Sequence, residues 1–274
     1  KVIMVPTFEP EKVGRIVRKK RPHYIVGPPT LYGALARSES FRWTSLAENP
    51  LVSVGTAKPR MPASVFAHTI ATAAIGASRE TYAIALDTTP EGIIPAWVRA
   101  LSQPIPPAPV AQAPCQEVVL TGDSASLDLL PIPTWTPGRD AAPYLTTLTI
   151  TRDADAGFQN CAVYRTMVLD ERRVAVNLNP GRHGWRCVES YLRRGRPAPI
   201  AWVIATEPVV HCAAVANVPY GVDELSIAGG LKGAPVETVK ARTVDLAVPA
   251  HAEIVVEGEI RPDDRAREIG RAHV

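Results

Sequence analysis

Aromatic residues are scarce in this chain, 6% of 274 residues, and cysteines number only four. Cys115, Cys161, Cys187 and Cys212 are widely spaced, with no Cys-x-x-Cys pair and no Cys/His cluster. That excludes a disulfide scaffold or a zinc ribbon. No apolar run reaches the roughly 18 residues of a membrane-spanning helix, and no secretory signal pattern is visible. Reduced thiols in a cytoplasmic protein are therefore expected. Excess charge of one sign is lacking too: 30 Lys plus Arg face 27 Asp plus Glu, a net charge of +3. Such a balance provides no basic field for nucleic acid, and no candidate strand alternates aromatic with basic residues. Nucleic-acid binding is a poor fit.

What is present is ordinary except for proline. Apolar residues make up 46% and charged residues 21%, which excludes an intrinsically disordered chain. The length allows one large domain or two modest ones with a real core. Prolines number 27, about twice average usage. They fall between periodic segments, which favours a loop-rich mixed protein over a helical bundle. The chain starts at Lys1 rather than methionine, and a fragment is the expectation.

Residues 1–45 read as strand, helix, strand, helix. Residues 2–5 are a short apolar run, and Glu9-Pro10-Glu11 opens a helix with acids and proline in its first turn. Arg18-Lys19-Lys20-Arg21 closes it with cations suited to a helix C-terminus. Tyr24-Ile25-Val26 is the next strand, broken by Gly27-Pro28-Pro29-Thr30 before a helix through Leu31 and Leu35. This stretch resembles an interior piece of the adenylate-forming acyl-CoA synthetases. Their phosphate-binding loop lies upstream of that piece and has no counterpart here, so ATP-dependent ligase activity is not expected.

Residues 46–65 lack a clear period and read as a junction. An alanine-rich helix is expected from Phe66, with Ile70, Ala73, Ala74 and Ala77 on one face. A second follows near residues 93–101, and residues 104–109 read as an extended, polyproline-like connector. From Cys115 onward the pattern becomes strand-rich. Strands are expected at residues 118–120, through Leu127 to Ile132, at 145–151 (half-buried, alternating), 162–168, 174–178, 200–204, 213–215, 236–239 and 252–256. One helix is expected over residues 185–194. Short strands at this spacing with few helices argue for a β-rich α+β sheet or barrel.

Three polar residues sit where strands meet glycine or proline, on loops or strand ends: Asn160, His183 and Glu224. An amide oxygen, an imidazole and a carboxylate would suit a hard divalent ion such as Mn²⁺ or Mg²⁺. Arg165 and Arg182 could meet a phosphate through their forked donors. A histidine after a turn is as readily a solvated side chain, and Glu224 a surface acid. Sequence spacing leaves both readings standing.

Longer strings carry a resemblance. Residues 130–144, with Pro131-Ile132-Pro133-Thr134-Trp135 and Pro137-Gly138-Arg139-Asp140, look like the signature of the UbiD family of decarboxylases. So do residues 114–118, 160–165, 219–224 and 248–258, in the family's order. Together they cover about residues 66–268. The resemblance implies a flavin-reductase-like split β-barrel that binds prenylated FMN, made by a partner flavin prenyltransferase. It implies decarboxylation of aromatic, heteroaromatic or α,β-unsaturated acids.

Position by position, the resemblance makes Asn160, His183 and Glu224 ligands of a divalent cation (Mn²⁺ or another, with K⁺ as a further ion) at the cofactor phosphate. Val163, Tyr164 and Arg165 match the segment that holds the flavin, with Arg165 also facing the substrate carboxylate. Asn177, Leu178 and Asn179 match a second cofactor-contacting strand, and Arg182 completes the turn beside His183. Full-length relatives are expected to be homo-oligomers. Loss of CO₂ from an sp² carbon needs an electron sink, which such a cofactor provides, while the protein orients it and manages protons.

The chain departs from the family at its end. Glu268 matches the first acid of the family's Glu-Gly-Pro-Phe-Gly-Glu/Asp string, whose last acid is the expected proton donor. Here Ile269-Gly270-Arg271-Ala272-His273-Val274 follows instead. The expected organisation is a synthetase-like piece and junction over residues 1–60, and a helical segment with a Pro-rich connector over 61–114. An incomplete flavin-binding barrel follows over 115–268, then a non-native tail over 269–274, of the kind a sequencing adapter encodes in frame. The expected fold class is α+β, a split barrel preceded by a small α/β and helical segment. The functional expectation is a UbiD-like decarboxylase, inactive as this chain. The alternatives are a non-catalytic fragment or subunit binding cofactor and metal, and an acyl-CoA ligase fragment.

Overall fold

The computed structural model describes residues 75, 78–130, 132–135 and 140–263. The readings for residues 1–45, the helix from Phe66 and the role of Glu268 lie outside these. The chain divides into two compact units, residues 1–90 and 91–274. In the first, helix α1 (Arg79–Ala85) begins with a reciprocal cap. Ser78 Oγ accepts the Thr81 N–H at 3.1 Å, and Thr81 Oγ1 accepts the Ser78 N–H at 3.0 Å.

The second unit begins with helix α2 (Ile93–Ser102), in agreement with its expected helix. The Pro-rich connector then ends in a two-residue strand, β1 (Ala108–Pro109), parallel to β8 (Glu237–Lys240), which pairs with β9 (Ala247–Pro249). Ala108 and Val110 donate their N–H groups to Val236 and Thr238. Pro109, which has no N–H, sits between them on an edge strand where none is needed.

The largest sheet has the order β10-β7-β3-β4, antiparallel throughout: β3 (Leu148–Arg152), β4 (Gln159–Val163), β7 (Ala198–Ile204) and β10 (Ile254–Ile260). A third sheet joins β2 (Tyr144–Leu145), β5 (Thr166–Val168) and β6 (Val174–Val176). Leu145, Ile200 and Trp202 form a core between the two sheets, with Val174, Val176 and Val256 against it. Helix α3 (His183–Leu192) packs on β3, β4 and β7 through Val188 and Tyr191. The architecture is thus mixed α+β. Among the described residues the strands form three sheets and not one closed barrel.

Several expected strands differ. Residues 118–120 form no strand, and their Val-Val-Leu side chains are exposed, Val118 at 62%. The segment from Leu127 to Leu129 is a 3₁₀ turn with Ser126 Oγ accepting the Asp128 N–H. Residues 213–215 are not a strand but the end of helix α4 (Pro208–Ala213), which Pro208 opens at a position suited to it. Strand β3 is not half-buried. Thr149 and Thr151 are as buried as Leu148 and Ile150, because α3 covers one face and neighbouring core the other.

Helix α5 (Glu224–Lys232) was not expected, and it matters most for the site. It packs closely against α2. A Cβ on Gly230 would lie 2.8 Å from the Ala100 Cα, and one on Gly229 would collide with the Ile105 carbonyl. Two glycines inside a helix weaken it intrinsically, but here they allow that approach. Gly233, in the left-handed conformation at φ 76°, ends the helix.

Candidate functional site

Asp223 starts α5 by accepting the Leu225 N–H at 2.8 Å. That cap sets Glu224 in the first helical turn, where the helix dipole favours an acid. Its side chain points inward and is 4% exposed. Glu224 Oε1 accepts a hydrogen bond from Asn160 Nδ2 at 2.8 Å, and Oε2 accepts one from the Cys161 N–H at 2.8 Å. Both partners are neutral. Burial accordingly pushes the Glu224 carboxyl up to about 7, and burial pushes Asp223 up to about 6.

Asn160 lies inside β4, opposite Thr151, and His183 and Glu224 are the first residues of helices. The sequence reading set all three on loops or strand ends; Asn160 is instead the second residue of β4, and the other two each open a helix. His183 Nδ1 is 3.8 Å from Glu224 Oε1. Burial, then the cations Arg186 and Arg182, hold its imidazole below the usual histidine range. A neutral imidazole is the form that can ligate a metal.

Tyr164 braces this group. Its hydroxyl donates to Asn160 Oδ1 at 2.9 Å and accepts the Gly184 N–H at 2.9 Å. Burial pushes the phenol up to about 12, so the proton stays on as the donor. A Cβ at position 184 would fall 2.6 Å from the Tyr164 ring. Only glycine lets α3 start this close to β4.

Asn160, Tyr164, His183 and Glu224 all line a cleft of about 600 Å³. Val163, Tyr164, Arg165, Asn177, Asn179 and Arg182 line it together with Asn160, His183 and Glu224. Leu178 does not; it packs against Val188, Tyr191 and Ala198 in the core behind. Alternation along an extended segment explains this, since Asn177 and Asn179 face one side and Leu178 the other. The backbone of Asn177 is tied to the loop before β5 by donating to the Arg165 carbonyl at 3.0 Å.

The sequence reading missed further lining residues. Thr146, Ala214, Ala216, Asn217 and Val218 also line the cleft, and the apolar Ala214, Ala216 and Val218, which follow α4, gave no polar signal. It also missed Tyr220. The Tyr220 hydroxyl donates to Asp153 Oδ2, its ring meets the His183 ring edge-on at 5.2 Å, and the Arg186 guanidinium lies 3.4 Å from its centroid.

Chemically, the set offers one amide oxygen, one imidazole nitrogen and one carboxylate beside two arginines. Among the described residues no three His, Cys, Asp or Glu side chains gather as a metal centre. Three donors are reached here by counting Asn160. An oxygen-rich set of this kind suits a hard divalent cation rather than a soft one.

The chain is similar to solved structures of known enzymes. The UbiD-class enzyme HmfF from Pelotomaculum thermopropionicum, in complex with FMN, is 38% identical with a TM-score of 0.66, over 70% of this chain and 43% of that one. An evolved dimeric form of HmfF with prFMN is 39% identical with a TM-score of 0.66, over 69% and 44%. Apo 3,4-dihydroxybenzoic acid decarboxylase (AroY) from Klebsiella pneumoniae is 31% identical with a TM-score of 0.63, over 71% and 42%. The chain therefore spans less than half the length of these relatives. The family model for the UbiD 3-octaprenyl-4-hydroxybenzoate carboxy-lyase Rift-related domain matches residues 108–270. That is more than half of the 274 residues, and the chain belongs to the UbiD family.

Proposed function

We propose that this chain is the cofactor-binding core of a decarboxylase that uses prenylated FMN and a divalent cation on an aromatic, heteroaromatic or α,β-unsaturated carboxylic acid. The observation that carries the reading is the buried Glu224 carboxylate, bonded to Asn160 and 3.8 Å from His183, on a cleft that Arg165 and Arg182 also line. A carboxylate desolvated among neutral partners gains most from a cation brought next to it. The donor set therefore fits Mn²⁺ or a similar ion, and the arginines fit the cofactor phosphate.

When bound, the modified flavin would supply the electron sink that decarboxylation requires. Asn160, His183 and Glu224 would hold the cation at the phosphate. The backbone around Val163 and Tyr164, with Asn177 and Asn179, would border the ring system. Arg165 would orient the substrate carboxylate, and Glu268 belongs to the string expected to handle protons. The shared core of the β2-β5-β6 sheet and the four-stranded sheet supports a split-barrel reading of this region. A flavin prenyltransferase would supply the cofactor, and self-association would complete the assembly. The four cysteines are all free thiols, in keeping with a reducing, cytoplasmic setting.

The length ratio supports a second reading, a non-catalytic piece that binds cofactor and metal but relies on further sequence for turnover. One experiment separates them: production of the chain with a flavin prenyltransferase and Mn²⁺, followed by flavin absorbance and CO₂ release with a panel of such acids. Retained flavin with turnover supports the enzyme, and retained flavin without turnover the binding piece. No retained flavin overturns both.

A further inference from the structure

Among the described residues no hydrogen bond fixes the direction of the His183 imidazole, whose Nδ1 is 3.8 Å from Glu224 Oε1. Arg182, at the cap of α3, makes no side-chain capping bond, and the imidazole is 27% exposed. Its one ring contact among the described residues is the edge-on stack with Tyr220 at 5.2 Å and 73°. Tyr220, four positions ahead of Glu224, is held from several sides. Phe158 meets it edge-on at 4.8 Å, Arg186 lies over its ring, and Cys187 Sγ is 3.9 Å from its hydroxyl. The hydroxyl itself donates to Asp153 Oδ2.

Asp153 is equally constrained. Its Oδ1 accepts the N–H groups of Asp155 at 2.7 Å and Ala156 at 2.8 Å in the turn between β3 and β4. That leaves Oδ2 facing Tyr220, and the residue is 6% exposed. Burying a carboxylate and a phenol together is costly unless the geometry is satisfied. Here it is satisfied, and the phenol, on the loop leading into Glu224, packs against the first turn of α3, which carries His183 and Arg186.

We propose that Asp153 and Tyr220 form a positioning pair for His183, anchoring its imidazole toward the Glu224 carboxylate. Neither residue of the pair lines the cleft, which His183 does, so the pair acts through His183. The proposal deepens the reading of Asn160, His183 and Glu224 as a cation site and rests on it. Residues behind a ligating histidine commonly govern metal affinity by about 10–100-fold.

The test uses the whole chain with Tyr220→Phe, which keeps the ring but loses the Asp153 bond, and Tyr220→Leu, which loses both. Each is made with and without His183→Ala, and retained folding is checked by far-UV circular dichroism. Mn²⁺ affinity is read by electron paramagnetic resonance, and His183 ring order by ¹³C relaxation in the metal-free protein. Tyr220→Leu is expected to weaken Mn²⁺ binding about tenfold and Tyr220→Phe less, with the His183 ring more mobile in both. In the His183→Ala background neither change should matter. An equal loss in that background makes the effect general and overturns the proposal, as does unchanged ring order in Tyr220→Leu. If the wild-type chain takes up no Mn²⁺, the cation reading falls, and ring order alone decides whether the pair positions His183.

Discussion

Asn160 and Glu224 stand 64 positions apart in the chain and meet in a 2.8 Å hydrogen bond, amide to carboxylate, with a main-chain N–H on the other carboxylate oxygen. The pairing fixes the direction of the amide: Nδ2 faces Glu224 and Oδ1 faces the Tyr164 hydroxyl. Strand β4 and helix α5 are joined at this point by buried polar groups.

The Glu224 charge should register in pH-dependent stability. Its carboxyl, raised to about 7 by burial, keeps a proton that the unfolded chain has released. Stability from this group is therefore present at low pH and lost as pH rises through about 7. His183 and His211, both held below the usual histidine range, act in the opposite sense, but only below about 6.5. Between pH 6.5 and 8 the melting temperature of the metal-free chain should fall. Added Mn²⁺ should raise it more at pH 8 than at pH 6.5, which scanning fluorimetry would read directly.

Glu224→Gln removes that charge and keeps the shape. The variant should lose most of the decline between pH 6.5 and 8, and its Mn²⁺ affinity should drop at least about tenfold. Thermal melts and titration calorimetry check the two halves. A variant that still binds Mn²⁺ as the wild type does would remove Glu224 from the cation site.

Tyr164→Phe deletes one hydroxyl that serves two partners. The Gly184 N–H and Asn160 Oδ1 would each lose a hydrogen bond, a cost of roughly 1–3 kcal/mol for a buried unsatisfied group. Urea denaturation should show a lower midpoint with an unchanged slope.

Gly184→Ala puts a methyl group within 2.6 Å of the Tyr164 ring. Overpacking of this sort costs roughly 1–3 kcal/mol, and the ring must retreat from Asn160 or α3 from β4. Both stability and Mn²⁺ affinity should fall, measured by denaturation and calorimetry on the same preparation.

Gly230→Ala is the control. Alanine should favour the helix by about 1 kcal/mol, yet its Cβ would sit 2.8 Å from the Ala100 Cα. The clash should outweigh the propensity and lower the melting temperature. The cleft lies on the other end of α5, so Mn²⁺ affinity of the folded protein should not change.

Local patterns carried much of the fold. The apolar run around residues 200–204 is β7, buried in all but its last residue, Ile204, and the stretch near 185–194 is α3, shifted by two residues. Where an apolar run failed, solvent was the reason: Val118, Val119 and Leu120 have the composition of a strand but no partner sheet among the described residues. Helix α5 was hidden because Gly229 and Gly230 argue against a helix, and only the approach of Ala100 and Ile105 explains them. At the site, sequence spacing could name Asn160, His183 and Glu224 but could not bring them together. The family strings did that. Tyr220 lies within one of those strings and Asp153 in none, and neither sequence position reveals their partnership, which spans 67 positions and depends on where two loops come to rest.

Three separate elements supply Asn160, His183 and Glu224: the edge strand β4 and the leading turns of two helices. During synthesis, the strand leaves the ribosome well before α5 exists. No stretch of chain around any one of the three can form the cluster alone. On the proposed reading, loading of a cation or a flavin would thus be an event of the finished fold, and an ion offered to the nascent chain would find scattered single donors. On the same reading, any agent that pries α5 from β4 would remove Glu224 from Asn160 and take one donor out of the cluster.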